Sequence, residues 1–277
     1  MRIQRIAAFS DGATGGNPAG VVIGDDLPDA SAMQRAAAAI GFSETAFAAP
    51  RGTGWRVRYF SPETEVPFCG HATIALGAAL ALQHGDGVFP LHLNGATITV
   101  EGRQEGALVA AALQSPPTRS RPAPAPLVDG ALALFGYAPA NLDPGLPPAL
   151  IHAGADHLLL ALRDRRQLAA MRYDLQDGRR FMLQAGLVTI VLAHAEAPAR
   201  FHVRNAFASG GVMEDPATGA AAAALAGHLR DDGRWPNGGA IDLCQGDDMG
   251  MPSRLHAAFG PAPGSSVRVS GTARIMA

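Results

Sequence analysis

No run of lysine or arginine occurs in this chain of 277 residues, and its formal net charge is −2. Without successive cations to neutralise successive phosphates, nucleic acid is excluded as the expected partner. Long apolar runs are missing too: no stretch reaches the length of a membrane span. The start, Met1-Arg2-Ile3-Gln4-Arg5-Ile6, alternates charged and apolar residues where a signal peptide would carry a continuous apolar core. The expectation is a cytoplasmic protein with no membrane partner. Cysteine is scarce, only Cys69 and Cys244, and in that compartment both are expected reduced. Neither lies in a Cys-x-x-Cys pair, and the nine histidines show no His-x-His or His-Glu-x-x-His spacing, so no metal site has support from spacing. Charged residues make up only 17% against 48% hydrophobic, which argues against disorder and supplies two cores. The length points the same way, to two domains.

What is present is an internal echo. Val57 to Leu82 and Val203 to Leu229 share one plan: a strand ending in Val-Arg and an aromatic, a loop with acid and proline, then a glycine opening an alanine-rich helix. The loops are Glu63-Thr64-Glu65-Val66-Pro67 and Glu214-Asp215-Pro216. The helix starts are Gly70-His71-Ala72-Thr73 and Gly219-Ala220-Ala221-Ala222. Amides at a helix start are unpaired and carry the positive end of the dipole, so two such starts facing one another would form a socket for a carboxylate.

Around these units the pattern predicts strands at 5–10, 19–23, 45–49 and 55–60, a helix over 31–40, and a hairpin of 91–100 with 107–113. The proline-rich stretch 115–126 reads as a linker, because proline lacks the amide that a helix or central strand needs. Beyond it come a helix at 127–134, a strand at 156–162, a helix after Asp164, strands at 187–192 and 199–207, the second unit, and strands at 240–245 and 266–275. The expected domains are 1–114, completed by the carboxy-terminal strand 264–277, and 127–263. Both repeated helices are apolar on nearly every side, which suits a mixed sheet wrapped around a buried helix in each half.

Four side chains stand out for chemistry. Glu44 is a single acid at the head of the otherwise apolar strand Thr45-Ala46-Phe47, the surroundings a proton-shuttling carboxyl needs; such an acid is otherwise solvent-exposed. His71 lies one residue inside the first helix start; a surface or capping histidine is the plainer explanation. Asp215 precedes the second helix start, where capping alone would account for it. Cys69 sits at a helix start that favours thiolate, but Thr218 stands where a second thiol would be needed, and residues two apart on a helix face different ways, which weakens a Cys69–His71 pair. Cys244 lies outside the repeat and reads as a buried apolar side chain.

Gly16-Asn17-Pro18-Ala19-Gly20-Val21, Ser43-Glu44-Thr45-Ala46-Phe47, Phe60-Ser61-Pro62, Glu65-Val66-Pro67-Phe68-Cys69-Gly70-His71-Ala72-Thr73, Glu214-Asp215-Pro216-Ala217-Thr218-Gly219 and Gly250-Met251-Pro252-Ser253 occur in this order. Together they resemble the PhzF family, the phenazine-biosynthesis-like isomerases that share the diaminopimelate epimerase fold. The resemblance implies an α+β protein of two pseudo-symmetric domains, each a barrel-like mixed sheet around a central helix, with the site in the cleft between them. It implies neither cofactor nor metal, a small carboxylate-bearing substrate, and a homodimer. Glu44 then corresponds to the general acid/base, with His71 and Asp215 holding the substrate's polar groups. Asn17, Cys69, Gly70, Ala72, Thr218, Gly219 and Ala220 are the expected substrate-binding positions. The chain departs from the family at Ala220, where serine is usual, and at Met251, where arginine is common.

The expected activity is an intramolecular proton shift through Glu44. Two rivals remain open: an epimerase in which Cys69 opposes Glu44, and a protein that binds a small molecule without turnover.

Overall fold

The computed structural model describes residues 2–277. Two compact units divide the chain: Met1–Gln114 with Ser270–Ala277, and Ser115–Val269. In the first, β1 (Gln4–Ser10) is antiparallel to β2 (Asn17–Ile23), and β2 runs parallel to β3 (Thr45–Arg51) through α1 (Ala30–Ile40). Then β4 (Gly54–Phe60) pairs antiparallel with β3 and with the two-residue β5 (Glu65–Val66). After α2 (Gly70–His84), β6 (Gly87–His92) lies parallel to β4, and β7 (Thr97–Glu105) and β8 (Leu108–Gln114) continue antiparallel.

In the second unit β9 (Arg119–Pro122), α3 (Ala125–Phe135), β10 (Ala149–His152) and β11 (Asp156–Ala161) are followed by α4 (Arg165–Ala169), α5 (Leu175–Ala185) and β12 (Thr189–Ala197), which is parallel to β11. β13 (Arg200–Ala206) is antiparallel to β12 and to β14 (Glu214–Asp215). α6 (Gly219–Asp231) then leads to β15 (Gly239–Gln245), parallel to β13, and to antiparallel β16 (Ser253–Phe259). The sequence of pairings from β1 to β7 therefore recurs from β10 to β16. The last strand, β17 (Arg268–Ile275), returns to β1, with Ile6 opposite Ile275. Each unit is thus a mixed sheet with a helix packed on it, an α+β arrangement whose ring is uneven, since β5 and β14 span only two residues each.

Two expectations need correction. The run 91–100 is no single strand: the chain turns after β6, with the Leu93 amide donating to the Ala96 carbonyl at 2.8 Å around Asn94-Gly95, a pair whose turn preference the flanking apolar residues masked. The proline-rich stretch 115–126 is no bare linker. It holds β9 and the start of α3, Ala125 and Pro126, and Ser115 and Thr118 donate backbone bonds to Val267 and Gly264 at 2.8 and 3.0 Å. The missing proline amide falls on Pro122, the last residue of β9, so the pairing of Arg119 to Arg121 with β10 survives. Sequence pattern also overlooked β10, α5 and β16.

The central helices have no solvent face. Every residue of α2 from His71 to Ala81 is buried, against β1, β2, β7 and β8. Ile74, Leu76 and Leu80 are fully enclosed, each worth about 1.5 to 3 kcal/mol of burial. Glycine permits the close seat: a Cβ on Gly77 would stand 2.5 Å from Val100 Cγ2, and one on Gly102 would collide with the Gly77 carbonyl oxygen. In the second unit a Cβ on Gly227 of α6 would stand 2.5 Å from Thr118 Oγ1. Separate clusters pack the outer helices. Met33 and Ala37 of α1 meet Val22, Phe47 and Phe60, while Phe135 of α3 and Met182 of α5 meet Leu158, Leu160, Ile190 and Leu192.

Gly102→Val should cost about 1 to 3 kcal/mol or more of stability in denaturant unfolding, because the obstructing atom is backbone and cannot turn aside. A second test comes from His157 in β11. It is wholly buried, its Nδ1 lies 2.7 Å from Thr189 Oγ1, and Nε2 has no hydrogen-bond partner. Burial holds its pKa down at about 4, against an ordinary 6.5. As the pH falls from 6.5 toward 4 the unfolded chain takes up a proton that the folded chain refuses, so stability is full above that window and lost within it. The loss between pH 7 and pH 5 should be smaller by about 2 kcal/mol in His157→Gln than in the parent chain.

Candidate active site

Cys69 occupies the cap position of α2 with extended backbone, φ −144° and ψ 119°, and no side-chain hydrogen bond caps the helix there. Gly70, His71 and Ala72 form its first turn, where amides lack intrahelical acceptors and the dipole is positive. Ala72 is fully buried, so only its backbone is available. The Thr73 hydroxyl locks this start, lying 2.7 Å from the Cys69 carbonyl oxygen and 2.7 Å from the Tyr59 hydroxyl. Burial pushes the Tyr59 phenol far above its usual range, which keeps it neutral. The acid loop is clasped from β4: Arg58 Nε donates to Glu65 Oε1 at 2.8 Å, Nη2 to Oε2 at 2.5 Å, and Asn94 adds a bond at 2.7 Å. The Arg58 bonds hold the Glu65 carboxyl below its usual pKa.

Glu44 arrives from the other side of the same unit. Its carbonyl oxygen accepts the Gly20 amide at 3.2 Å, a contact that Gly20 permits because a Cβ there would stand 2.6 Å from Thr45 Oγ1. Its carboxylate Oε2 lies 3.4 Å from His71 Nε2, with the two side chains only 14% and 7% exposed, against the exposed acid that a strand head usually carries. Ser43 Oγ is 3.3 Å from the same nitrogen, and Cys69 Sγ is 3.4 Å from His71 Nδ1. The expected separation of Cys69 from His71 is thus corrected. Cys69 precedes the helix in extended backbone, so helical spacing does not govern it. Glu44, Cys69 and His71 each offer a ligand atom within 4.8 Å of the others, a grouping that no spacing motif announces. Chemically, an imidazole bridging a carboxyl and a thiol can orient either and relay a proton between them. Asn17 opens β2 opposite Ala8 and is buried.

In the second unit the cap position of α6 is Thr218, not Asp215, and again no side chain caps it. Asp215 lies three residues earlier in β14, buried, where its Oδ2 accepts the Thr218 hydroxyl. Gly219 is buried and Ala220 half-buried in the first turn of α6. Gln245, which sequence reasoning missed, organises this corner: Nε2 donates to the Asp215 carbonyl at 2.6 Å and to Thr218 Oγ1 at 3.2 Å, while Oε1 accepts the Thr218 amide at 3.3 Å. Asn205, also missed, is completely buried with both amide atoms unpartnered. The echo could have flagged it. Asn205 stands where the first unit has Tyr59, and Ala222 where it has Thr73, so the bond made in one half has no counterpart in the other. Arg204 clasps Glu214 as Arg58 clasps Glu65, with Nε to Oε1 at 3.0 Å and Nη2 to Oε2 at 2.5 Å, but here both partners are buried.

The family model for phenazine biosynthesis-like proteins, PhzC-PhzF, matches residues 6–277. The chain belongs to this family. Among PhzF relatives, the trans-2,3-dihydro-3-hydroxyanthranilate isomerase of Pseudomonas aeruginosa is 34% identical over 280 residues, covering 96% of this chain and 91% of the relative. A solved PhzF-family structure from Bacillus anthracis matches the fold with a TM-score of 0.89 at 19% identity, over 100% of this chain and 98% of that one. A Pseudomonas aeruginosa protein described as a predicted epimerase matches with a TM-score of 0.85 at 26% identity, over 100% and 97%. As a PhzF-family member with relatives named as isomerases, the chain is an isomerase.

The two clasps of this PhzF protein differ in burial, and so should their worth. Glu214→Gln leaves a buried guanidinium unpaired and should cost about 3 to 5 kcal/mol, whereas Glu65→Gln at the more exposed clasp should cost under about 1 kcal/mol. Denaturant unfolding of the two variants side by side reads the contrast.

Proposed function

We propose that this isomerase shifts a proton from one carbon to another of a small carboxylate-bearing metabolite, with Glu44 as general acid/base. The observation that carries the reading is the shielded Glu44 carboxylate held 3.4 Å from His71 beside the uncapped start of α2. Glu44 takes the proton as a carboxylate and returns it as a carboxylic acid, so a single group serves both halves of the reaction. His71, which the Ser43 hydroxyl steadies at 3.3 Å, orients that carboxylate and binds polar groups of the substrate. The amides of Gly70, His71 and Ala72 stabilise the substrate's negative charge, as helix starts do for anions.

Asp215, Thr218, Gly219 and Ala220 are proposed to hold further polar groups of the substrate, and Asn17 to line the same site. The reading calls for no cofactor, and the family resemblance adds a homodimer. The relative's name supplies one candidate, trans-2,3-dihydro-3-hydroxyanthranilate. Ala220 in place of the family's usual serine removes a hydroxyl from the expected contacts, so the substrate is assigned by class. One observation favours a second reading: Cys69 Sγ lies 3.4 Å from His71 Nδ1, close enough for a thiol to act as opposing acid in an epimerisation.

Glu44→Gln should lower turnover by about 10²- to 10⁴-fold with substrate binding retained. In heavy water, NMR of candidate carboxylates should show deuterium entering carbon positions with the parent enzyme and not with Glu44→Gln. Cys69→Ser separates the two chemistries: a proton shift loses less than about 10-fold, an epimerisation about 100-fold or more. Absence of exchange across a broad panel would instead favour binding without turnover.

A further inference from the structure

A second group of donors lies away from Glu44 and His71, within the second unit. His202 of β13 stands opposite Cys244 of β15 in parallel register, and Asp247 follows in the short turn Asp247–Met249. One ligand atom from each lies within 4.8 Å of the others. The imidazole is oriented in a telling way. Its outer nitrogen, Nε2, lies 3.3 Å from Glu196 Oε2, whereas Nδ1 is buried and has no hydrogen-bond partner. A buried ring nitrogen left unpaired costs about 1 to 3 kcal/mol and calls for an explanation. With the proton on Nε2 toward Glu196, the Nδ1 lone pair is left free to ligate, the carboxylate–histidine arrangement that metal-ligating histidines use.

We propose that His202, Cys244 and Asp247 bind a zinc-class divalent ion, independently of the proton-shift reading. A thiolate, an imidazole and a carboxylate form a donor set suited to zinc, with a fourth position left for water. Donors around a tetrahedral ion sit roughly 3.5 Å apart, so donors already within 4.8 Å of one another need only small side-chain movements to close on one. Two guanidinium groups adjoin the site: Arg200 Nη2 lies 3.9 Å from Cys244 Sγ, and Arg254 Nη1 lies 2.9 Å from Asp247 Oδ1. In the absence of an ion these contacts occupy the thiol and the carboxylate. With side chains 57% and 38% exposed, both arginines can turn into solvent when an ion binds. Cys244 and Asp247 flank Gln245, the residue that holds Asp215 and Thr218 in place, so the ion fastens the strand end supporting that corner.

The test uses the full-length chain carrying Cys69→Ser, because Glu44, Cys69 and His71 also bring three donors together. Zinc titrated in competition with a chromophoric chelator should bind one equivalent, and cobalt should show a thiolate-to-metal charge-transfer band. Adding Cys244→Ser should abolish the band and weaken zinc by at least about 100-fold, with a comparable loss for His202→Gln and about 10-fold for Glu196→Gln. Circular dichroism checks each variant. Should Cys244→Ser not fold, His202→Gln, at a half-buried side chain, carries the decision. Failure of the Cys69→Ser protein to bind zinc, or unchanged affinity in a folded His202→Gln, overturns the proposal, whatever the outcome for Glu44.

Discussion

At its closest approach, the central helix of the first unit touches its sheet backbone to backbone. Gly102 of β7 lies directly against the Gly77 carbonyl of α2, and the buried run from His71 to Ala81 offers no polar stripe that could turn toward water. A helix seated in this way cannot slide or rotate without opening voids or forcing collisions, because a close-packed interior tolerates neither. The seat therefore fixes where the amino end of α2 lies. That in turn brings His71 to Glu44, which the bond from Gly20 holds just ahead of β3. Geometry of this kind supplies the positioning that acid–base chemistry requires.

Around that seat the two units solve the same problem with different chemistry. Each fastens its acid loop to the preceding strand with a two-pronged arginine–glutamate pair, Arg58 to Glu65 and Arg204 to Glu214. Each leaves its helix start without a capping side chain, forgoing about 1 kcal/mol that an ordinary cap would contribute. Amides left open in this way remain available to an anion. The first unit braces its helix start with the Tyr59–Thr73 pair; the second has Asn205 and Ala222 there and relies on Gln245 reaching over from β15. The two units thus share a scaffold and differ in their braces.

Local features were readable from the chain. Glycine at 41 with apolar spacing marked the end of α1, the run Val21-Val22-Ile23 marked β2, and the paired units, each a strand ending in Val-Arg before an acid loop and a glycine-opened helix, marked β13, α2 and α6 to within about two residues. What escaped was whatever local preference disguised. Asn94-Gly95 was hidden between apolar residues, and the prolines around β9 concealed a strand whose only missing amide falls at its end. The amphipathic α5, carrying an apolar stripe on a polar background, merged with the helix expected after Asp164.

The amino-acid order by itself determined the family, the internal repeat, the two helix starts and the identity of Glu44, His71 and Asp215 as residues of interest, because these reside in short contiguous motifs. Tertiary structure alone decided that Cys69 and His71 adjoin, that Gln245 supports Asp215, and that His202, Cys244 and Asp247 converge. The physical reason is the parallel pairing. A long crossover through β14 and α6 joins β13 to β15, so nothing in the spacing along the chain specifies which residues of the two strands come to lie side by side.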